Sequence, residues 1–211
     1  VYGSKPQPEA TASQADNIQI LYKARGASDD SYSEEAPVNA GDYTVQALIA
    51  ETQNYLPASA TADFTIEKAE GGLEFSCADI SYGETPAPDI TKNLSGGNVT
   101  YLYKKQGDPD NGYSSSVPTE IGSYTVKGTA AATVNYTAAS ATADFAIGQA
   151  DVGNAAVSGI NTAYMKTGSA IKPVPQITSG GRKLAGGTDY ELSYGDNTEE
   201  GTGTVTISGI G

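Results

Sequence analysis

Residues 41–66 read GDYTVQALIAETQNYLPASATADFTI, and residues 122–147 read GSYTVKGTAAATVNYTAASATADFAI. In this block 16 of 26 positions are identical at a constant offset of 81 residues, which identifies an internal repeat. A period of about 80 residues is longer than the roughly 20–50 residues of solenoid repeats. Each repeat is therefore expected to fold as a small β domain of its own.

The repeat continues outward from this block. Residues 21–23 match residues 102–104, and the Tyr-Gly pair at residues 2–3 matches the pair at residues 82–83. A third, divergent unit begins near Asp151. We therefore predict three modules. They are residues 1–68, which lack the first strand, residues 69–150, a near-copy of the first, and residues 151–211, divergent and truncated at the C-terminal end.

Apolar and polar residues alternate within each repeat, as they do in half-buried strands. Val99, Tyr101 and Tyr103 are predicted to face one way, and Tyr124 and Val126 another. Cys77, the single cysteine, continues the alternation of the preceding apolar residues and is predicted to be a buried strand residue. The predicted fold class is all-β, with tandem small Ig-like β-sandwich modules in an elongated array.

One alternative concerns the alanine-rich residues 130–133 and 138–143, which have some helix propensity. A helix packed on the sheet would make each module a β-grasp fold. Thr, Val and Asn interrupt both runs and no apolar stripe of helical period is present, which favours strands.

The chain carries 12 basic and 25 acidic residues, a net charge of −13 that repels phosphate backbones and anionic headgroups. We expect no nucleic acid partner and no membrane contact within this segment. We also expect the segment to be monomeric within a longer chain that carries the signal and the anchor.

Catalysis and cofactor binding are not expected. The sequence has no histidine, which removes the commonest general base and most zinc sites. Its acidic residues lie beside turn residues, which is typical of a solvated surface. We predict a protein that is not an enzyme and binds no cofactor.

Two features could still bind a ligand. Asp108, Asp110 and Asn111 place oxygen ligands close together and form a candidate calcium site, although Pro109 and Gly112 make a plain hairpin turn sufficient. Residues 29–30 and 196–197 are lesser versions of the same pattern.

Tyr32 and Tyr113 are the second feature, since they lie in polar loops at equivalent repeat positions. They are either paired contact residues for a glycan or protein, or aromatic residues that lean on the neighbouring strand.

The repeat motifs resemble those of MBG domains of the YGX type, which are repeats of large bacterial cell-surface proteins. The residues that carry the resemblance are Tyr82-Gly83, Gly122-x-Tyr124-Thr-Val126, Asn135-Tyr136 and Phe145-x-Ile147. The last third resembles a related bacterial Ig-like repeat class, through Gly187-Thr188-Asp189-Tyr190 and Val205-Thr-Ile207. The resemblance implies an extracellular, bacterial cell-surface location and no catalytic residue.

A spacer segment of an adhesin-like surface protein is the function that these features favour. The alternatives are an adhesive module that binds a host or neighbouring-cell glycan or protein, and an accessory module of a secreted multidomain enzyme.

Overall fold

The computed structural model describes residues 1–12 and 18–210. Its regular elements are almost all β-strands, joined by a few single-turn 3₁₀ helices. The all-β prediction is confirmed. The helical alternative is wrong, because residue 130 ends a strand, residues 131–133 belong to no helix, and residues 139–143 lie in a strand.

The first repeat forms one antiparallel sheet of three strands. Its strands are β1 (Gln19–Ala24), β2 (Gly41–Ile49) and β3 (Ala58–Ile66), with a 3₁₀ turn at Asp29–Ser31 between β1 and β2. The register places Tyr22 opposite Val45 and Tyr43 opposite Phe64, so apolar residues that recur in both repeats meet on neighbouring strands.

The second repeat contains the same three strands and adds others before them. Its elements are β4 (Leu73–Ser76), β5 (Ile80–Ser81), β6 (Asp89–Asn93), β7 (Val99–Lys105), β8 (Gly122–Ala130), β9 (Ala139–Gly148) and a 3₁₀ turn at Asp110–Gly112. The bounds of β8 are those of β2 shifted by the 81-residue offset, so the sequence repeat is also a structural repeat.

The second repeat is a small sandwich of two sheets. One sheet has the order β5-β9-β8-β7, and the other contains β4 and β6. At the start of the repeat, β4 therefore pairs with β6, and β5 then runs parallel to β9. The buried core between the strands consists of Cys77, Tyr103, Tyr124, Val126, Phe145 and Ile147. This arrangement confirms the prediction of Ig-like sandwich modules.

Two details of the sequence prediction change. The faces carrying Tyr103 and Tyr124 meet in one core, because β7 and β8 are neighbours in the same sheet. The predicted hairpin turn at residues 110–112 is instead a 3₁₀ turn within a longer connection, and Gly112 does not take the positive φ that a tight hairpin needs.

A tyrosine fixes the turn into the central strand of each repeat. The Tyr124 hydroxyl donates to the carbonyl oxygen of Glu120 at 2.8 Å, and its ring lies over Gly122. Gly122 has φ of 153°, which a residue with a side chain adopts only at a cost. The Tyr43 hydroxyl makes the same bond to Asn39 at 3.0 Å. The Gly-x-Tyr motif thus encodes a tyrosine corner.

The third segment has its own small core, formed by Ile177, Leu184 and Tyr190. Its elements are a 3₁₀ turn at Val152–Asn154, then β10 (Ala156–Ser158), β11 (Gln176–Ser179), β12 (Arg182–Lys183), β13 (Tyr190–Tyr194) and β14 (Val205–Gly209). They form a three-stranded sheet, β10-β11-β12, and a two-stranded sheet, β13-β14.

By density of contacts the chain divides into two units. The first contains Val1–Glu74, Ile90–Thr100 and Gly128–Ala141, and the second contains Phe75–Asp89, Tyr101–Lys127 and Thr142–Gly211. Each unit contains a part of the second repeat. The module boundaries at residues 68 and 150 stay a prediction.

Candidate functional site

The loop proposed for calcium is organised around a lysine. The Lys104 ammonium donates to the carbonyl oxygen of Asp108 at 2.7 Å and to Oδ1 of Asp110 at 2.9 Å. It also lies 4.8 Å from the centroid of the Tyr113 ring. Only 11% of the lysine side chain is exposed, so the loop encloses its own cation.

The first repeat builds the same arrangement. The Lys23 ammonium donates to the carbonyl oxygen of Ala27 at 2.9 Å and to Oδ1 of Asp29 at 2.6 Å, and it lies 4.7 Å from the Tyr32 ring centroid. Both repeats thus place one lysine against one carboxylate and one aromatic ring. This repetition indicates a structural arrangement that orders the loop between the first two strands of the shared block.

In the second repeat, the ammonium of Lys104 and the carboxylate of Asp110 shift each other's pKa. The hydrogen bond from Lys104 lowers the pKa of Asp110 below its ordinary value, and the same bond raises the pKa of Lys104. In the first repeat the bond to Asp29 raises the pKa of Lys23. Both lysines are therefore held in the charged form.

Calcium at Asp108, Asp110 and Asn111 would have to compete with this ammonium. Among the described residues no three His, Cys, Asp or Glu side chains gather closely enough to hold a metal ion. The calcium site stays a prediction. Sequence reasoning missed Lys104, although the repeated Leu-Tyr-Lys segment marks its position in both copies.

Tyr32 and Tyr113 are both half-buried and both lie against a lysine of the adjacent strand. Tyr113 has a second ammonium, that of Lys127, at 5.7 Å from its ring centroid. Contact with a glycan or a protein at these rings stays a prediction.

Cys77 is buried, as predicted, and lies directly after the last residue of β4. Burial raises the pKa of its thiol, which keeps the sulfur protonated at neutral pH. Cys77 is thus a packing residue of the sandwich core.

The loop before β2 of the first repeat is bonded to the second repeat through the Asn135 amide. The Ala40 N–H donates to Oδ1 of Asn135 at 2.9 Å, and Nδ2 of Asn135 donates to Oδ1 of Asn39 at 3.0 Å. The rings of Tyr2 and Tyr136 meet edge to face with centroids 5.4 Å apart. The Asn-Tyr turn of the second repeat therefore binds the first repeat at three points.

The linker between these repeats is held by the same turn. The Ala69 N–H donates to the carbonyl oxygen of Asn135 at 2.9 Å, and the Thr137 N–H donates to the carbonyl oxygen of Ala69 at 3.0 Å. The Lys68 ammonium donates to the carbonyl oxygen of Thr133 at 2.6 Å. These bonds remove the freedom that a solvated linker would have.

The second repeat meets the third segment through its own Tyr-Gly pair. The guanidinium of Arg182 lies 4.5 Å from the centroid of the Tyr82 ring. A Cβ placed on Gly83 would lie 2.9 Å from the carbonyl oxygen of Ser179, so the backbones approach closely and glycine is required. Tyr82 is the counterpart of Tyr2, and each contacts the module that follows its own.

The described residues therefore form tandem β repeats whose opening tyrosines, Tyr2 and Tyr82, contact the module that follows. The model of the MBG domain family matches residues 3–70 and 81–151, about two thirds of the chain. The chain belongs to the MBG domain family, as its motifs predict. No curated protein matches the chain.

MBG repeats are typical of surface proteins and are generally non-catalytic structural modules. Among the described residues, no helix is both long and apolar enough to cross a membrane.

Proposed function

We propose that this chain is a non-catalytic spacer segment of a bacterial cell-surface protein, located outside the cell. The observation that carries the proposal is the bonded junction between modules, in which Asn135 joins Ala40 and Tyr136 packs on Tyr2. A spacer has to resist bending at its linkers. These contacts restrict bending at the linker between the first two repeats.

The energy of the junction comes from several modest terms. A neutral hydrogen bond contributes about 0.5–1.5 kcal/mol net, and an aromatic pair adds about 0.5–1.5 kcal/mol beyond its buried area. Because these contacts lie around one short linker, they act together. Their sum supports a preferred orientation of neighbouring repeats.

The net charge of −13 also supports an extended, solvated role. Like charges on neighbouring modules and on neighbouring copies repel one another and oppose aggregation. The lysine-centred loops use one of the few basic residues of each repeat, Lys23 in the first and Lys104 in the second, which leaves the acidic surface largely uncompensated.

Small-angle X-ray scattering of the full chain tests the spacer proposal. A pair-distance distribution of an elongated particle is expected, and a compact globule would overturn the proposal. Asn135→Ala should broaden the distribution by loosening one junction. Asn54→Ala, the equivalent change in the turn of the first repeat, is the matched control and should leave the profile unchanged.

A further inference from the structure

The loop between β7 and β8 contains an Asp-Pro peptide bond, Asp108–Pro109, and both residues are exposed. The Asp108 N–H donates to the carbonyl oxygen of Lys105 at 3.2 Å, and the Gly112 N–H donates to the carbonyl oxygen of Pro109 at 2.9 Å. The backbone is therefore held in place on both sides of this bond while water can reach it.

The carbonyl oxygen of this peptide bond accepts a hydrogen bond from the Lys104 ammonium at 2.7 Å. The ion pair with Asp110, at 2.9 Å, holds the ammonium at this position, and only 11% of the lysine side chain is exposed. A positive charge held against a carbonyl oxygen makes the carbonyl carbon more electrophilic. It also stabilises the negative charge that develops on the oxygen when a nucleophile attacks.

The side chain of Asp108 supplies a nucleophile. Within the described residues, no hydrogen bond or ion pair occupies the Asp108 carboxylate, whereas the Asp110 carboxylate is bonded to Lys104. Attack by this carboxylate on the carbonyl carbon of its own residue closes a cyclic anhydride. Because both groups belong to one residue, the effective concentration of the nucleophile is very high.

We propose that the Asp108–Pro109 bond is a self-cleavage site at which the Lys104 ammonium stabilises the oxyanion. A carboxylate oxygen of Asp108 bonds to the carbonyl carbon, the bond from that carbon to the Pro109 nitrogen breaks, and the nitrogen takes a proton from the solvent. The proline nitrogen carries a ring carbon in place of a hydrogen, which makes it more basic and easier to expel. Water then opens the anhydride, so the net reaction is hydrolysis of one peptide bond.

The first repeat shows that the loop does not need an Asp-Pro pair in order to fold. Lys23 donates to the carbonyl oxygen of Ala27 at 2.9 Å in the same way, but Ala27 is followed by Ser28. Ala27 supplies no carboxylate and Ser28 supplies no proline nitrogen. The first repeat therefore has the oxyanion donor without the other two groups and is not expected to cleave.

Cleavage would leave the second repeat assembled. β7 and β8 flank the bond and are neighbours in one sheet, so the two pieces would stay paired until that sheet opens. A cleaved repeat would separate under a load that an intact repeat resists. The reaction occurs once in each chain, without turnover, so it requires no enzyme active site. It goes beyond the spacer role and does not depend on it.

Incubation of the full chain in mildly acidic buffer with protease inhibitors tests the proposal, with denatured samples followed by mass spectrometry. We expect fragments 1–108 and 109–211 to form at a rate that is independent of protein concentration. In urea at the same pH the Lys104 contact is lost, and cleavage should be at least about tenfold slower. Equal or faster cleavage in urea would indicate only the ordinary acid lability of Asp-Pro bonds and would overturn the proposal.

Variants of the second repeat identify the groups involved. Lys104→Met should slow cleavage at least about tenfold, and Lys105→Met, at an exposed neighbouring position, should leave the rate unchanged. Asp108→Ala introduces the residue that the first repeat has at this position and should abolish cleavage. Cleavage of Lys104→Met at the parent rate would rule out the role of the ammonium.

Transfer of the site to the first repeat gives a test that does not depend on the folding of Lys104→Met. Ser28 has φ of −63°, close to the value that proline requires, so Ala27→Asp combined with Ser28→Pro should fold normally. We expect a second cleavage, between positions 27 and 28, that is slowed when Lys23→Met is added. A folded chain with the double substitution that does not cleave there would contradict the proposal.

Discussion

The N–H of Ala40 in the first repeat donates to the side-chain oxygen of Asn135, which lies 95 positions further along the chain, at 2.9 Å. This bond joins the loop before β2 to the Asn-Tyr turn before β9. Together with the bond from Asn135 to Asn39, it makes one amide side chain responsible for two of the contacts at the junction.

Replacing Asn135 with Ala removes both bonds of this amide. The Ala40 N–H should then exchange with solvent about fivefold faster or more, since a lost hydrogen bond of this kind costs about 1 kcal/mol or more. Hydrogen exchange followed by NMR measures the rate. An unchanged rate in Asn135→Ala would show that the bond does not order the junction, and Asn54→Ala should match the parent chain.

Removing the enclosed lysine should return the pKa of Asp110 towards its ordinary value. Lys104→Met keeps the length of the side chain but cannot donate to Asp110. The carboxyl of Asp110, followed by NMR during acid titration, should therefore protonate at higher pH in the variant. Lys105→Met, at an exposed neighbouring position, should leave the titration unchanged.

The sign of the pH dependence of stability follows from the pKa shifts of Asp110 and Lys104. The pKa of Asp110 is lowered on folding, so its contribution to the free energy of unfolding is present above its ordinary pKa and is lost as pH falls through the lowered value. The pKa of Lys104 is raised, so its contribution is present below its ordinary pKa and is lost as pH rises through the raised value. Between these limits Lys104→Met should lower stability, and a variant that is equally stable there contradicts the assignment.

The tyrosine corner should be measurable in the second repeat. Tyr124→Phe removes the bond to Glu120 and should lower the free energy of unfolding by about 1 kcal/mol. Gly122→Ala should cost about 1–3 kcal/mol, because Ala is strained at a φ of 153°. Urea denaturation measures both. Ser123→Ala, at an exposed position between them, should stay within about 0.5 kcal/mol of the parent.

Replacing Tyr113 distinguishes a packing role of this residue from an adhesive role. If its ring serves to hold Lys104 and Lys127, Tyr113→Ala should lower the free energy of unfolding by about 1–2 kcal/mol. Glycan and protein arrays probed with parent and variant should then give the same pattern. Array binding that disappears in Tyr113→Ala, at unchanged stability, would instead assign the residue to a binding surface.

The repeated block could be read from sequence because each of its strands has a near-identical second copy. The pairing of β2 with β3 follows from strands that flank one short turn, and the tyrosine corner follows from a motif with local hydrogen bonds. The burial of Cys77 follows from alternation alone. These features depend on residues close together in the chain.

The junctions could not be read from sequence. Asn135 is visible only as a repeat marker, since its partners Asn39 and Ala40 lie more than 90 positions away. The lysine loop could not be predicted from its acidic residues alone, because they do not indicate that the ammonium of Lys104 neutralises them.

The most direct test of the spacer account is the spread of distances across the first junction, measured by pulsed electron spin resonance. Spin labels would replace the exposed Ser31 and Thr100 in a Cys77→Ala background. The account predicts one narrow distance distribution, which broadens in Asn135→Ala. A distribution that is already broad in the parent chain, and unchanged by Asn135→Ala, would contradict it.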